Sequence, residues 1–340
     1  MSDESHPSPT GGLEPEGATR RFIPLSSGVE LHVLDWAPTH GDGSFQAHTA
    51  AEPSTPFVLT HGLASNARLW DGVARRLAAA GHRVVTVDQR GHGRSSKPDD
   101  GYDIGTCADD LLLLVDELDL GGAPVIGGQS WGGNVVLEVA ARHGDRLAAA
   151  VCVDGGFIDL QSTFDDWEAC RTALAPPQLA GTPLSTMTRW LASSARDWPE
   201  EGRAGTLANF EVRSDGTIAP WLTAERHLLV LRGLWEHRPT QRYAVAACPT
   251  LMVVAESGGG TWNETKHVAV REAVGALPVG RGHWFTPAHH DVHAQHPQEM
   301  AELLLRVATD PTYWSDPGII DETVFTDSVS PYESERENIT

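Results

Sequence analysis

The alternation of short apolar runs with amphipathic helical stretches constrains what this chain can fold into more than any other feature. Runs such as "PFVLTHG" (56–62), "RVVTVDQ" (83–89), "APVIGGQ" (123–129), "AAAVCVDG" (148–155) and "PTLMVVA" (249–255) are too short for helices. They lack polar alternation, as parallel strands buried between two helical layers must. "GVELHVLDW" (28–36) and a weaker "VGRGHWF" (279–285) bring the expected strands to seven. Between them "RLWDGVARRLAAAG", "CADDLLLLVDELD", "WGGNVVLEVAARHG", "KHVAVREAVGAL" and "PQEMAELLLRVA" carry apolar residues at helical spacing. Strands alternating with helices predict an α/β architecture, with a mostly parallel sheet and helices on both faces.

The rhythm breaks between Gly155 and Tyr243, where strand signals vanish and Trp167, Trp190, Trp198, Trp221 and Trp235 sit among prolines and helical segments. Residues 156–243 therefore read as an inserted helical cap between core segments 21–155 and 244–309. The tryptophans mostly pack the cap onto the core, and some are placed to line an apolar pocket. Residues 1–20, rich in Pro, Gly, Ser and Glu, and the acidic 310–340 lack the apolar content to offset ordering entropy, and are expected to be disordered tails.

At 340 residues the chain has ample length for a buried core. A formal charge of -21, with 46 acidic against 25 basic residues and no basic cluster, argues against nucleic acid as a partner. Cys107, Cys152, Cys170 and Cys248 are too scattered for a metal or redox pair and read as small core residues. The amino-terminal stretch has no basic region followed by an apolar one, and no run approaches a membrane span, so a soluble cytoplasmic protein is expected. No phosphate loop or dinucleotide fingerprint calls for a cofactor. The expected partner is a small-molecule substrate, and a homodimer is compatible with the composition.

Chemistry enters at "GQSWGG" (128–133), which separates a buried strand from a helix, so the chain must reverse direction at Ser130. Strand, tight turn and helix are the setting of a nucleophile elbow, and Gly128 and Gly132 leave room for it. A glycine-rich strand exit is the bland alternative. A nucleophilic serine also needs a base, an acid and an oxyanion hole. "FVLTHGL" places the Leu63 N–H at the end of an earlier strand, where it and the Trp131 N–H can hold one oxygen. His61, before that glycine, reads as a buttress of the loop.

With "HGL" (61–63), "DQRGHGRS" (88–95), "GQSWGG" and "AHHDVHAQHP" (288–297) in this order, the chain resembles the α/β-hydrolase superfamily from about Arg21 to Ala308. The resemblance implies a mostly parallel central sheet with helices on both faces and a helical cap inserted after the sixth strand. It is nearest the capped branch that holds haloalkane dehalogenases, epoxide hydrolases, lactonases and small esterases. The first two carry an aspartate at the elbow; Ser130 here disfavours their alkyl-ester mechanism and leaves acyl transfer.

Of His283, His289, His290, His293 and His296, the resemblance favours His290 as base, because it precedes by seven positions the Pro297 that opens the last helix. His283 reads as part of the last strand, and His289 stands where the family has glycine. "HHDVH" is a weak metal motif, since neither a helix presenting i and i+4 histidines nor a nearby set of carboxylates is evident. The acid is open: most relatives place an aspartate where this chain has Gly258. Asp154, ending "VCVDGG", matches an alternative acid position in the superfamily and is preferred to Glu256. These residues point to a serine hydrolase of small, largely apolar esters or lactones. Alternatives are a carbon–carbon bond hydrolase, a proline-iminopeptidase-like hydrolase, to which "GGQSWGG" is faintly similar, and a non-catalytic ligand-binding protein on the same fold.

Overall fold

The computed structural model describes residues 15–39, 54–257 and 261–325. Strands β1 (Ala18–Pro24), β2 (Glu30–Trp36), β3 (Phe57–Thr60), β4 (Val84–Val87), β5 (Val125–Gln129) and β6 (Ala149–Val153) precede the cap. Helices α1 (Asp71–Ala79), α2 (Ile104–Leu118) and α3 (Trp131–His143) connect them. The cap holds helices α4 (Leu160–Thr163), α5 (Trp167–Ala173), α6 (Leu184–Ser194), α7 (Glu200–Leu207) and α8 (Ala224–Glu236), with β7 (Phe210–Val212) and β8 (Ile218–Pro220) before α8. The core resumes with β9 (Thr250–Ala255), α9 (Thr261–Ala276), β10 (Gly280–Thr286), α10 (Val292–Gln295), α11 (Pro297–Thr309) and β11 (Ile320–Val324).

Nine strands form one sheet in the order β1-β2-β4-β3-β5-β6-β9-β10-β11. β2 pairs antiparallel with β1 and with β4, and every other pairing is parallel. Residues of the central strands divide between two cores. Val58, Val85, Ile126 and Met252 pack with α2, α3 and α9 on one face, whereas Phe57, Leu59, Val84, Val125 and Val253 pack with α1 and α11 on the other. This two-sided burial is why these strands read as continuous apolar runs. All four cysteines are free and buried.

Three expectations need correction. The amino-terminal tail drawn over 1–20 overlaps β1, which begins at Ala18, and the carboxy-terminal tail drawn from 310 contains β11. Both are edge strands, and their charges ("ATRRFIP", "IDETV") replace the apolar run a central strand needs. Residues 310–319 are also described, with Tyr313 buried, whereas 1–14 and 326–340 of the expected tails lie outside the described residues. The cap is not purely helical: β7 and β8 make a hairpin whose Ile218 is buried with Met187 and Leu191 of α6.

The cap is tied to α3 by a polar chain. Asn134 accepts from the Gly156 N–H (2.8 Å) and donates to the Ile158 carbonyl (2.8 Å), and its amide also meets the ring of His237 (3.1 Å). His237 and Arg242 both reach Glu138. At the other end Asn66 donates to the Gly205 carbonyl in α7 (2.9 Å). Trp167 and Trp235 meet edge to face, Trp198 is buried, and Trp221 lies beneath Arg94 and Lys97, while Trp190 is partly exposed.

Candidate active site

β5 delivers Ser130 to the carboxyl edge of the sheet at φ 53° and ψ -121°. A serine in this left-handed region is strained, and such strain persists only where the surroundings enforce it. Here close packing does so. A Cβ on Gly128 would lie 2.2 Å from the Gly132 carbonyl oxygen, and one on Gly132 would lie 2.4 Å from that of His61. The Ser130 N–H donates to the Val153 carbonyl (2.7 Å), pinning the turn to the end of β6.

The loop after β3 abuts this turn. His61 is fully buried; its Nδ1–H donates to the Gly62 carbonyl (2.7 Å), and its Nε2 accepts from the Gln89 N–H (3.0 Å). Burial holds this imidazole below its ordinary pKa, so it is a neutral buttress. Just beyond it, the Leu63 N–H has no acceptor among the described residues, and neither has the Trp131 N–H at the first turn of α3. Two unused donors thus border the turn: Trp131 follows Ser130 at a helix amino terminus, and Leu63 follows Gly62, where a Cβ would lie 3.0 Å from Ser130 Cβ.

Asp154 follows β6 at φ 43°, another strained position, with its side chain wholly buried. Its Oδ2 accepts from the His290 Nδ1–H at 2.5 Å, and its Oδ1 from the Ala255 N–H at 3.3 Å. Lys266 of α9 donates to Oδ1 (2.9 Å) and Oδ2 (2.8 Å). Burial opposes the charge on Asp154, but the Lys266 ammonium and the His290 hydrogen bond outweigh it and hold the carboxyl below its usual range. Crowding around His290 works against its protonation, yet the Asp154 bond and charge dominate and raise its pKa above the ordinary value. The imidazole is about half exposed, with a side-chain accessibility of 47%, and so is open to a substrate.

The loop carrying His290 is held against the elbow by Gln129, whose Nε2 donates to the His290 carbonyl (3.2 Å). Among the described residues Ser130 Oγ makes no hydrogen bond with His290. Such a bond often tightens only when substrate is bound.

The structure also places the competing residues. Glu256 pairs with His267 (3.3 Å), whose ring stacks on Trp284. Gly258 lies outside the described residues. His283 is in β10 and bonds Thr323 of β11 (2.8 Å). His289 meets Trp198 of the cap edge to face, His293 is buried against Trp70, and His296 stacks on Phe325. Among the described residues no group of three or more His, Cys, Asp or Glu side chains is arranged to hold a metal ion, and no helix is long and apolar enough to cross a membrane.

Lys266 and Gln129 escape a reading by motif. One signal pointed to the first: of the 25 basic residues only two, Lys97 and Lys266, are lysine.

Residues 55–257 match the family model described as alpha/beta hydrolase fold. The chain is 36% identical over 131 residues to a non-heme chloroperoxidase of Streptomyces lividans, covering 38% of this chain and 43% of the relative. It is 31% identical over 132 residues to a bifunctional esterase/perhydrolase of Acinetobacter calcoaceticus, covering 39% and 43%. The matches thus span less than half of these relatives' length. In architecture it is similar to E-2-(acetamidomethylene)succinate hydrolase, with TM-score 0.66 and 22% identity over 85% of this chain and 98% of that one.

Proposed function

The chain belongs to the α/β-hydrolase fold family, and on that premise we propose that it is a serine hydrolase that cleaves a carboxylic ester or lactone of a small, largely apolar substrate. Ser130 Oγ attacks the carbonyl carbon while His290 Nε2 takes its proton. Asp154 accepts the Nδ1–H of the same ring, which fixes the tautomer and stabilises the imidazolium as it forms. The N–H groups of Leu63 and Trp131 hold the developing oxyanion. Collapse expels the alcohol, which takes the proton from His290, and leaves an acyl group on Ser130. Water, deprotonated by His290, then releases the acid.

The observation that carries this reading is the 2.5 Å contact between the buried Asp154 and His290, whose loop Gln129 ties to the strained serine. A p-nitrophenyl ester series tests it: Ser130→Ala should abolish turnover with its melting curve unchanged, and undiminished turnover would sink the proposal. A substrate with a free amino-terminal proline, such as a prolyl p-nitroanilide, run beside the esters separates the iminopeptidase alternative.

A second reading keeps the same serine chemistry but passes the acyl group to hydrogen peroxide in place of water. Similarity to the esterase/perhydrolase favours it. Peracid formation by the native chain, absent from Ser130→Ala, is its test.

A further inference from the structure

Lys266 lies outside every motif above, yet its ammonium is spent on the candidate acid and the end of the neighbouring strand. Its three N–H donors meet three acceptors: Asp154 Oδ1 (2.9 Å), Asp154 Oδ2 (2.8 Å) and the carbonyl of Ala255 (2.9 Å). Ala255 ends β9 and Asp154 follows β6, so one ammonium ties together the ends of two neighbouring strands. Its side chain is 11% exposed and that of Asp154 is wholly buried. A buried carboxylate whose other partner is a half-exposed imidazole needs a counter-charge that does not come and go with pH.

We propose that Lys266 is a positioning residue for hydrolysis: by gripping both oxygens of Asp154 it aims Oδ2 at His290 and keeps the carboxylate ionised whether or not His290 carries a proton. The inference rests on the serine-hydrolase reading for its kinetic consequence, but its geometric content stands apart from it. An arginine at 266 would bring the charge on a longer planar fork, which does not reproduce three donors converging on one carboxylate and one carbonyl.

A permanent positive charge behind Asp154 also opposes the imidazolium. Removing it should let His290 keep its proton to higher pH. The other charged or titratable groups that bear on His290 are Asp154, Asp291 and His289 near it in sequence, and His293 on α10. None of these residues is replaced in a single Lys266 variant, and of them it is Asp154 that is bonded to Lys266.

The experiment compares Lys266→Met and Lys266→Arg in the full chain, by the pH profile of kcat/KM on a p-nitrophenyl ester and by NMR titration of the His290 ring. In Lys266→Met the acid limb and the His290 midpoint should both move up by about one pH unit or more. Its kcat should fall at least about tenfold with KM little changed, since only interactions peculiar to the transition state are lost. Lys266→Arg should keep the midpoint of the native chain. A folded Lys266→Met with unmoved midpoint and profile would overturn the proposal. Should Lys266→Met not fold, Lys266→Met/Asp154→Asn, which strands no buried charge, should fold; failure of that double variant too would reduce Lys266 to packing and equally overturn it. If the chain hydrolyses no ester, the NMR midpoint still decides the role of Lys266, while Ser130→Ala decides the reading beneath it.

Discussion

Replacing Asp154 by asparagine separates the two candidate acids most sharply. Asp154 meets His290 at 2.5 Å with its own side chain wholly buried and the imidazole half exposed, so the attraction between carboxylate and forming imidazolium is screened like that of a pair near the protein surface. For charge centres roughly 4 Å apart at an effective dielectric near 20 that attraction is about 4 kcal/mol, or roughly a thousandfold in rate at 1.36 kcal/mol per tenfold. Asparagine keeps the shape and loses the charge, so Asp154→Asn should lower kcat on a p-nitrophenyl ester by roughly a hundred- to ten-thousandfold, the range that bracketing this figure by a factor of ten allows. It also strands the Lys266 ammonium, which should cost about 3–5 kcal/mol of stability. Rates are therefore to be read well below the melting temperature of each variant. Glu256→Gln is the matched control. Glu256 and His267 form a partly exposed pair at 3.3 Å, worth under about 1 kcal/mol, and kcat should stay near that of the native chain. The reasoning is refuted if Glu256→Gln loses activity a hundredfold while Asp154→Asn stays within tenfold of the native chain, for the acid would then sit on the loop after β9.

Further outcomes follow from the same geometry. Because the His290 pKa is raised and the neutral ring is the base, kcat/KM should fall as pH drops through a midpoint above the ordinary histidine value; a plateau reaching down to about pH 5 contradicts this. Burial pushes Asp71 at the start of α1 up to about 7 from 3.8, so the folded chain keeps a proton that the unfolded chain releases. The stability this gives is full below the unfolded value and lost as pH rises through the folded one. Asp71→Asn should therefore be the more stable protein at pH 8, by on the order of 2–4 kcal/mol, with the gain vanishing near pH 4 in urea titrations; equal gains at both pH values would contradict it. Gly128→Ala drives a methyl against the Gly132 carbonyl at 2.2 Å, and should cost about 3 kcal/mol or more and abolish turnover, whereas a native-like melt and rate would show that the elbow can relax.

The central strands and the elbow were legible because each announces itself locally. β3, β4, β5, β6 and β9 are buried on both faces, which writes an apolar run into the sequence. Ser130 is bracketed by the glycines its turn demands. β1 and β11 were not legible, since an edge strand with one neighbour can carry charge throughout. The β7–β8 hairpin escaped because three-residue strands leave too little pattern to see. Sequence spacing indicated Asp154 by resemblance alone; its 2.5 Å contact with His290 joins residues 136 positions apart, which no local pattern encodes. Lys266 was hidden for the same reason, inside a helix that otherwise reads as an ordinary amphipathic stretch.

The central claim is that Ser130 is the nucleophile. A fluorophosphonate probe reacts with an activated serine without requiring knowledge of the substrate, and digestion with mass spectrometry locates the adduct. The native chain should carry one adduct, on Ser130, formed far more slowly in His290→Ala and in Asp154→Asn and absent from Ser130→Ala. Labelling at another residue, or none at Ser130 in the folded native chain, would contradict the account.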